Sequence, residues 1–271
     1  MTKKFTYEDM IKRNIGILTM EDQDILKDST VAIAGCGGAG GEAAIMLARM
    51  GVGHIKLSDP DTYDISNLNR QYGAKVSTLG KNKAETIASE IQDINPFCKV
   101  TVLNKGVDEG NISNFLEGSN IAVDEIDFNQ PYFTALFHRR ARALNIPVVS
   151  GVDVLWGSFL LFFFPESLSY EEYVGKSKDT NLEEFRNFSN PISAYAPELP
   201  AYLDASVLTN VAEGKIDIPV VAPSVSLNAG ILSAFVCFSL TNMREIKPVP
   251  YYYFTQDMLV LEPKLNTNME Y

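Results

Sequence analysis

Apolar residues recur along this chain with two different periods, and the two alternate. Residues 7 to 28 carry Ile11, Ile15, Ile17, Leu18, Ile25 and Leu26 among charges, a spacing that predicts one or two short amphipathic helices. The run from Thr30 to Ala34 is apolar and partly β-branched, ends in glycines, and precedes an alanine-rich helical stretch over Glu42 to Met50. His54 to Ser58 reads as a second strand, Lys83 to Ile94 as a helix and Val100 to Asn104 as a third strand. A helix near Ile112 to Leu116, a strand at Ile121 to Val123, a helix over Tyr132 to Leu144 and a strand beginning at Val148 extend the alternation. This order predicts an α/β fold with a doubly wound, Rossmann-like, mainly parallel sheet and right-handed crossovers.

The pattern then changes. Phe159 to Phe164 is an unbroken apolar strand stopped by Pro165, with no helix signal before it, so the sheet is expected to cease being parallel there. From Glu166 to about Ile218 the composition turns polar, with Pro191, Pro197 and Pro200 and little periodicity, which predicts a long irregular crossover. Ser226 to Leu240 reads as a buried helix and Tyr251 to Leu261 as closing strands. The organisation expected is one unit over residues 1–271: a helical arm (1–28), a nucleotide-binding core (29–165), a crossover (166–220), and a C-terminal helix with closing strands (221–271).

Composition narrows the classes. At 271 residues and 46% hydrophobic content the chain can bury a full core. The apolar runs Phe159 to Phe164 and Ala229 to Leu240 fall short of the roughly 20 residues that cross a bilayer, and the N-terminus has no signal-peptide pattern, so no membrane association is expected. Cys36, Cys98 and Cys237 are widely spaced and form no C-x-x-C pair, which argues against a disulfide framework or a thiolate zinc site and for a reducing cytoplasm. A net charge of -11 argues against binding a phosphate backbone.

Candidate chemistry begins at Gly35-Cys36-Gly37-Gly38-Ala39-Gly40-Gly41, between a predicted strand and a predicted helix. Missing side chains there let backbone N–H groups approach a phosphate at the positive helix end. Gly35, Gly37 and Gly40 satisfy G-x-G-x-x-G, and Asp59 follows at the end of the next strand, where an acid can take ribose hydroxyls. NAD and ATP fit this much equally. Downstream, Ser66-Asn67-Leu68-Asn69-Arg70-Gln71 and Gly80-Lys81-Asn82-Lys83-Ala84 supply cations and amides that a triphosphate requires and a dinucleotide does not. Asp124 and Asp127, at the end of the fourth strand, face the same sheet edge and offer oxygen to a metal.

These stretches, with Arg13, Leu57-Ser58-Asp59-Pro60-Asp61, Ile94-Asn95-Pro96 and Asp124-Glu125-Ile126-Asp127, resemble the ThiF/MoeB superfamily, adenylyltransferases related to ubiquitin-activating enzymes, over most of the chain. The resemblance implies ATP and magnesium as cofactors. The nucleotide set it implies is Gly35, Gly37, Gly38, Gly40, Asp59, Asp61, Asn67, Arg70, Gln71 and Lys83, with Asp59 on the ribose and Asn67, Arg70, Gln71 and Lys83 on the phosphates. Asp127 would hold magnesium, as the second acid of the D-x-x-D-N pattern in which Phe128 here replaces the Asn. Arg13, Arg70, Lys83 and Asp127 would form the catalytic set, with Arg13 reaching the site of a partner subunit in a homodimer.

The implied reaction turns a carboxylate into an acyl adenylate with release of pyrophosphate. A carboxylate is already ionised at neutral pH and needs no general base, so His54 and His138 are expected to be structural. Residues 166 to 218 lack the acyl-capturing cysteine of some relatives, and the paired C-x-x-C zinc site is absent, so the reaction is expected to stop at the adenylate without zinc. The substrate implied is a ubiquitin-like sulfur carrier, a peptide with a free C-terminal carboxylate, or a modified tRNA base, and the acidic balance disfavours the last. An NAD-dependent oxidoreductase and an inactive nucleotide-binding scaffold stay open as alternatives.

Overall fold

The structure is a computed structural model that describes residues 5–191, 194, 204–212, 215–216 and 218–255. The arm forms helices α1 (Tyr7–Ile11) and α2 (Met20–Asp28), each opened by a threonine capping box. Then come β1 (Thr30–Ala34), α3 (Ala39–Met50), β2 (His54–Ser58), a 3₁₀ turn (Ile65–Asn69), α4 (Lys83–Ile94), β3 (Lys99–Leu103), α5 (Ile112–Leu116), β4 (Ile121–Asp124), α6 (Pro131–Ala143), β5 (Val148–Val154) and β6 (Gly157–Phe163). The predicted strand–helix order is thus present in the structure, with ends shifted by a few residues.

The strands make one seven-stranded sheet in the order β3-β2-β1-β4-β5-β6-β7, parallel from β3 through β5 and antiparallel at β6 and β7. Alternate residues of β1 explain why it is wound on both sides. Val31 and Ile33 pack into the core under α3 and α4, while Ala32 and Ala34 pack into the core under α5 and α6. The strand order reverses at β1, with β2 on one flank and β4 on the other, so the carboxyl ends of these strands open a crevice at the switch point.

The later segments differ in part from the sequence expectation. The polar stretch after Phe163 is less irregular than its composition suggests: its described parts contain α7 (Tyr170–Tyr173), a 3₁₀ turn (Leu182–Asn187) and α8 (Ala205–Ala212). The C-terminal helix α9 runs over 20 residues from Ala222 to Thr241, longer than predicted, and an 18-residue window of it has a mean hydropathy of 1.6, enough to span a bilayer by length and composition. Here Val225, Ala229, Leu232 and Val236 are fully buried, and the helix packs on α3, β5 and β6. One closing strand, β7 (Tyr252–Phe254), is described, and the remainder of the predicted closing strands lies outside the described residues.

The arm is fastened to the far end of α3. Tyr7 Oη donates to Gly51 O at 2.8 Å, and Gln23 Nε2 donates to Tyr7 Oη and to Met50 O, each at 2.8 Å. Asn14 Nδ2 closes the network on Gln23 Oε1 at 3.1 Å. Gln23 is 0% exposed, and its removal takes one donor each from the Met50 carbonyl and the Tyr7 hydroxyl and an acceptor from Asn14. Gln23→Leu is therefore expected to lower the unfolding free energy by about 1–3 kcal/mol, read from the urea midpoint.

Candidate functional site

The register of three strands sets the site. Ala34 pairs with Ser58 on one side and with Asp124 on the other, so Gly35, Asp59 and Glu125 leave the sheet at one level. Gly35 N–H donates to Ser58 O and Glu125 N–H to Ala34 O, both at 2.8 Å. Only glycine fits at 35: φ is +97°, and a Cβ would run into Glu125 O. At Gly40 a Cβ would collide with Gly35 O, so the start of α3 lies flat against the loop. Gly37 and Gly38 remain half-exposed between Gln71 and Val225.

Asp59 holds this loop in place. Its Oδ2 accepts the Cys36 N–H at 2.7 Å and its Oδ1 accepts the Asp61 N–H at 2.8 Å, on a residue 5% exposed. Burial raises its pKa, and the two N–H donors oppose that rise by favouring the charged form. Asn82 secures the neighbouring loop, its Nδ2 donating to Asp59 O at 2.9 Å and Asp61 O at 3.1 Å while its Oδ1 caps α4 through Glu85 N. That role was legible in the Asn-x-x-Glu spacing ahead of a helix. Lys83, in the first turn of α4 and buried, places Nζ 3.1 Å from Oδ2 of the exposed Asp61.

The 3₁₀ turn brings three more predicted residues to the crevice. Asn67 Oδ1 accepts the Asp64 N–H at 3.1 Å, and Arg70 Nη1 folds back onto Ser66 O and Asn69 Oδ1. Gln71 reaches over the glycine loop, its Nε2 3.5 Å from where a Gly37 Cβ would stand, and its buried Oε1 has no partner among the described residues. Gly35, Gly37, Gly38, Gly40, Asp59, Asp61, Asn67, Arg70, Gln71 and Lys83 thus gather around one crevice. Half-exposed glycine backbone, a buried ammonium and an unpartnered amide oxygen suit an anionic nucleotide.

The two acids of the fourth strand have different roles. Asp124 is 4% exposed, and its Oδ2 lies 2.9 Å from His138 Nε2 while Oδ1 accepts the Ile126 N–H at 3.1 Å. His138 stacks on Tyr170 and meets Phe163 edge-on, so the histidine is structural and Asp124 is committed to it. Asp127 is exposed and, among the described residues, its side chain accepts only the Asn129 N–H, at 2.9 Å. No three potential ligands converge on a metal position among the described residues. One carboxylate completed by phosphates and water is what magnesium usually takes.

Arg13 does not join the others. It is exposed on the turn after α1, next to Asn14, whose Nδ2 reaches Met50 O at the end of α3. The glycine loop lies at the opposite end of that 12-residue helix, about 18 Å away along its axis. The three cysteines are all buried and free. Burial pushes the Cys36 thiol well above its ordinary range, Cys98 to about 11 and Cys237 to about 12, so none is a poised thiolate.

The chain belongs to the ThiF family, whose sequence profile matches residues 11–266. It is 42% identical to the tRNA threonylcarbamoyladenosine dehydratase of Bacillus subtilis over 116 residues, 42% of this chain and 46% of that protein. It is 29% identical to the molybdopterin-synthase adenylyltransferase of Salmonella typhimurium over 172 residues, 59% of this chain and 66% of that protein. The chain thus spans about half to two thirds of the curated relatives it matches. Its fold follows the crystal structure of PaaA with a TM-score of 0.69 at 19% identity, covering 97% of this chain and 75% of that one.

The division of labour between the two acids predicts a split in stability. Asp124→Ala leaves His138 buried without its partner and is expected to cost about 1–3 kcal/mol in urea unfolding. Asp127→Ala, at an exposed position, is expected to stay within about 0.5 kcal/mol of the parent.

Proposed function

We propose that the chain is an ATP-dependent adenylyltransferase, a single adenylation unit that converts a substrate carboxylate into an acyl adenylate and releases pyrophosphate. The observation that carries this reading is Lys83, a buried cation held by one exposed carboxylate beside a glycine loop that Asp59 fixes in place. A dinucleotide site does not need that cation. A triphosphate does, because its transfer piles charge on the α-phosphate and on the departing pyrophosphate.

In this mechanism the loop amides of Gly35, Gly37, Gly38 and Gly40 and the N-terminus of α3 receive phosphate oxygens. Asp59 keeps lone pairs for a ribose hydroxyl beyond the two N–H groups it already accepts. Lys83, steadied by Asp61, and Arg70, released from Ser66 and Asn69, neutralise the charge that develops as the substrate oxygen bonds to the α-phosphorus. Asn67 and Gln71 orient the phosphates through their amides. Magnesium, bound at Asp127, would supply further neutralisation of the leaving pyrophosphate. The reaction needs no general base and no thiol, in keeping with the committed His138 and the buried cysteines.

The substrate favoured is the C-terminal carboxylate of a ubiquitin-like sulfur carrier or a peptide. The net charge of -11 weighs against tRNA, although three relatives bear a tRNA-modifying name. Three free buried cysteines suit a reducing cytoplasm. Arg13, remote from the crevice of its own chain, is assigned to the site of a second copy in a homodimer, where its planar fork of donors suits phosphate oxygens.

ATP–pyrophosphate exchange tests both parts, with a synthetic Gly-Gly-terminated peptide and proteins encoded beside the gene as carboxyl donors. Asp127→Ala and Arg13→Ala are each expected to abolish exchange. Mixing the two is expected to restore up to about half of wild-type activity per mixed dimer, because one of its two sites then carries neither defect. Activity that never returns on mixing removes the shared site, and exchange that persists in Asp127→Ala removes the metal assignment.

A further inference from the structure

The loop that carries Asp127 is held from two sides. Within the loop, Asp127 Oδ1 accepts the Asn129 N–H at 2.9 Å, and Asp127 O accepts the Gln130 N–H at 2.8 Å just before α6 begins. From outside, an amide arrives out of the polar stretch after Phe163: Asn190 Nδ2 donates to Phe128 O at 2.8 Å. The Phe128 carbonyl and the Asn129 N–H belong to one planar peptide unit. The group that Asn190 holds by its oxygen is therefore the one that holds the Asp127 carboxylate by its hydrogen.

Asn190 is itself fixed. It is 8% exposed, and its Oδ1 accepts the Tyr170 hydroxyl at 2.7 Å. Tyr170 is buried in the first turn of α7, with its ring stacked on His138 and tilted against Phe185, and Arg139 of α6 pairs with the adjacent Glu171. Three hydrogen bonds thus run in series from a buried tyrosine to an exposed carboxylate: Tyr170 Oη to Asn190, Asn190 to the 128–129 peptide, and that peptide to Asp127. Bonds in such a series polarise one another, so a peptide whose carbonyl already accepts a bond is the better donor through its N–H. Phe128 stands where the D-x-x-D-N pattern has an Asn, and its ring packs against the core beside α6. The side-chain amide at this turn comes from position 190 instead.

We propose that Asn190 is a positioning residue for the metal acid: by fixing the 128–129 peptide it fixes the orientation of the Asp127 carboxylate before magnesium and nucleotide arrive. The inference rests on the assignment of magnesium to Asp127 in the adenylation reading and deepens it, because it makes the crossover a working part of the metal site. A carboxylate that binds a metal depends on the outer hydrogen bonds that orient it, and losing one costs about tenfold or more in metal affinity.

Calorimetric titration of the intact chain with ATP, once in EDTA and once in magnesium, measures how much magnesium strengthens nucleotide binding. The wild type is expected to show that strengthening and Asp127→Ala to lose it. Asn190→Leu, similar in volume but without donor or acceptor, is expected to reduce the strengthening by about tenfold while leaving the affinity in EDTA within about threefold of wild type. Tyr170→Phe keeps the ring on His138, removes only the first bond of the series, and is expected to reduce the strengthening by about threefold. Retained binding in EDTA shows that a variant is folded, and if Asn190→Leu does not fold, Tyr170→Phe decides alone. Variants that keep the full strengthening, even with a lowered urea midpoint, overturn the inference, because the series then serves the crossover alone. Equal strengthening in the wild type and Asp127→Ala overturns the metal assignment, and the inference falls with it. A wild type that binds ATP in neither buffer overturns the adenylation reading and everything built on it.

Discussion

The carboxylate of Asp59 is the fixed point of this molecule. With one oxygen on the Cys36 N–H and the other on the Asp61 N–H, it ties the glycine loop after β1 to the loop after β2. A carboxylate 5% exposed is costly to keep charged, and the two backbone donors offset that cost. Everything that follows is referenced to it. Asn82 reads the carbonyls of Asp59 and Asp61, α4 starts from Asn82, and Lys83 in its first turn is thereby set against Asp61. An elementary βαβ register thus becomes a glycine-lined crevice with a cation at a determined place.

The second half of the crevice comes from elements far away in sequence. β4 contributes one acid to structure and one to solvent. Asp124 is locked to His138, and the exposed side chain of Asp127, three residues on, accepts only the Asn129 N–H among the described residues. α9 returns from the end of the chain to press Val225 on the glycine loop and Asn228 on β5, while Ser226 Oγ donates to Glu42 Oε2 at 3.0 Å and ties it to α3. A helix with the length and hydropathy of a membrane span is here packed on the sheet and on α3. The arm that carries Arg13 is bolted to the other end of α3, away from the crevice.

Local chemistry was legible in the sequence, and long-range pairing was not. The glycine spacing, the acid at the end of β2 and the cations near residues 70 and 83 announced their places because each follows a strand end or starts a helix, where backbone geometry dictates residue type. The missing helix signal before Phe159 likewise announced the switch to antiparallel pairing. The family resemblance singled out Asp127 over Asp124, but the physical reason, His138 arriving from α6 to hold Asp124, was not legible locally. The same holds for Asn190, one amide in a polar stretch until Tyr170 and the Phe128 carbonyl are packed around it. The short helices after Phe163 were hidden because they are polar and brief, with caps rather than apolar stripes to mark them.

The central claim is that the crevice is built for a triphosphate, and direct titration of the purified chain with nucleotide tests it most simply. ATP with magnesium is expected to bind with a measurable heat that Lys83→Ala reduces by about tenfold or more in affinity, and NAD is expected to give none. Tight NAD binding with no response to ATP would contradict the account and return the glycine loop to a dinucleotide.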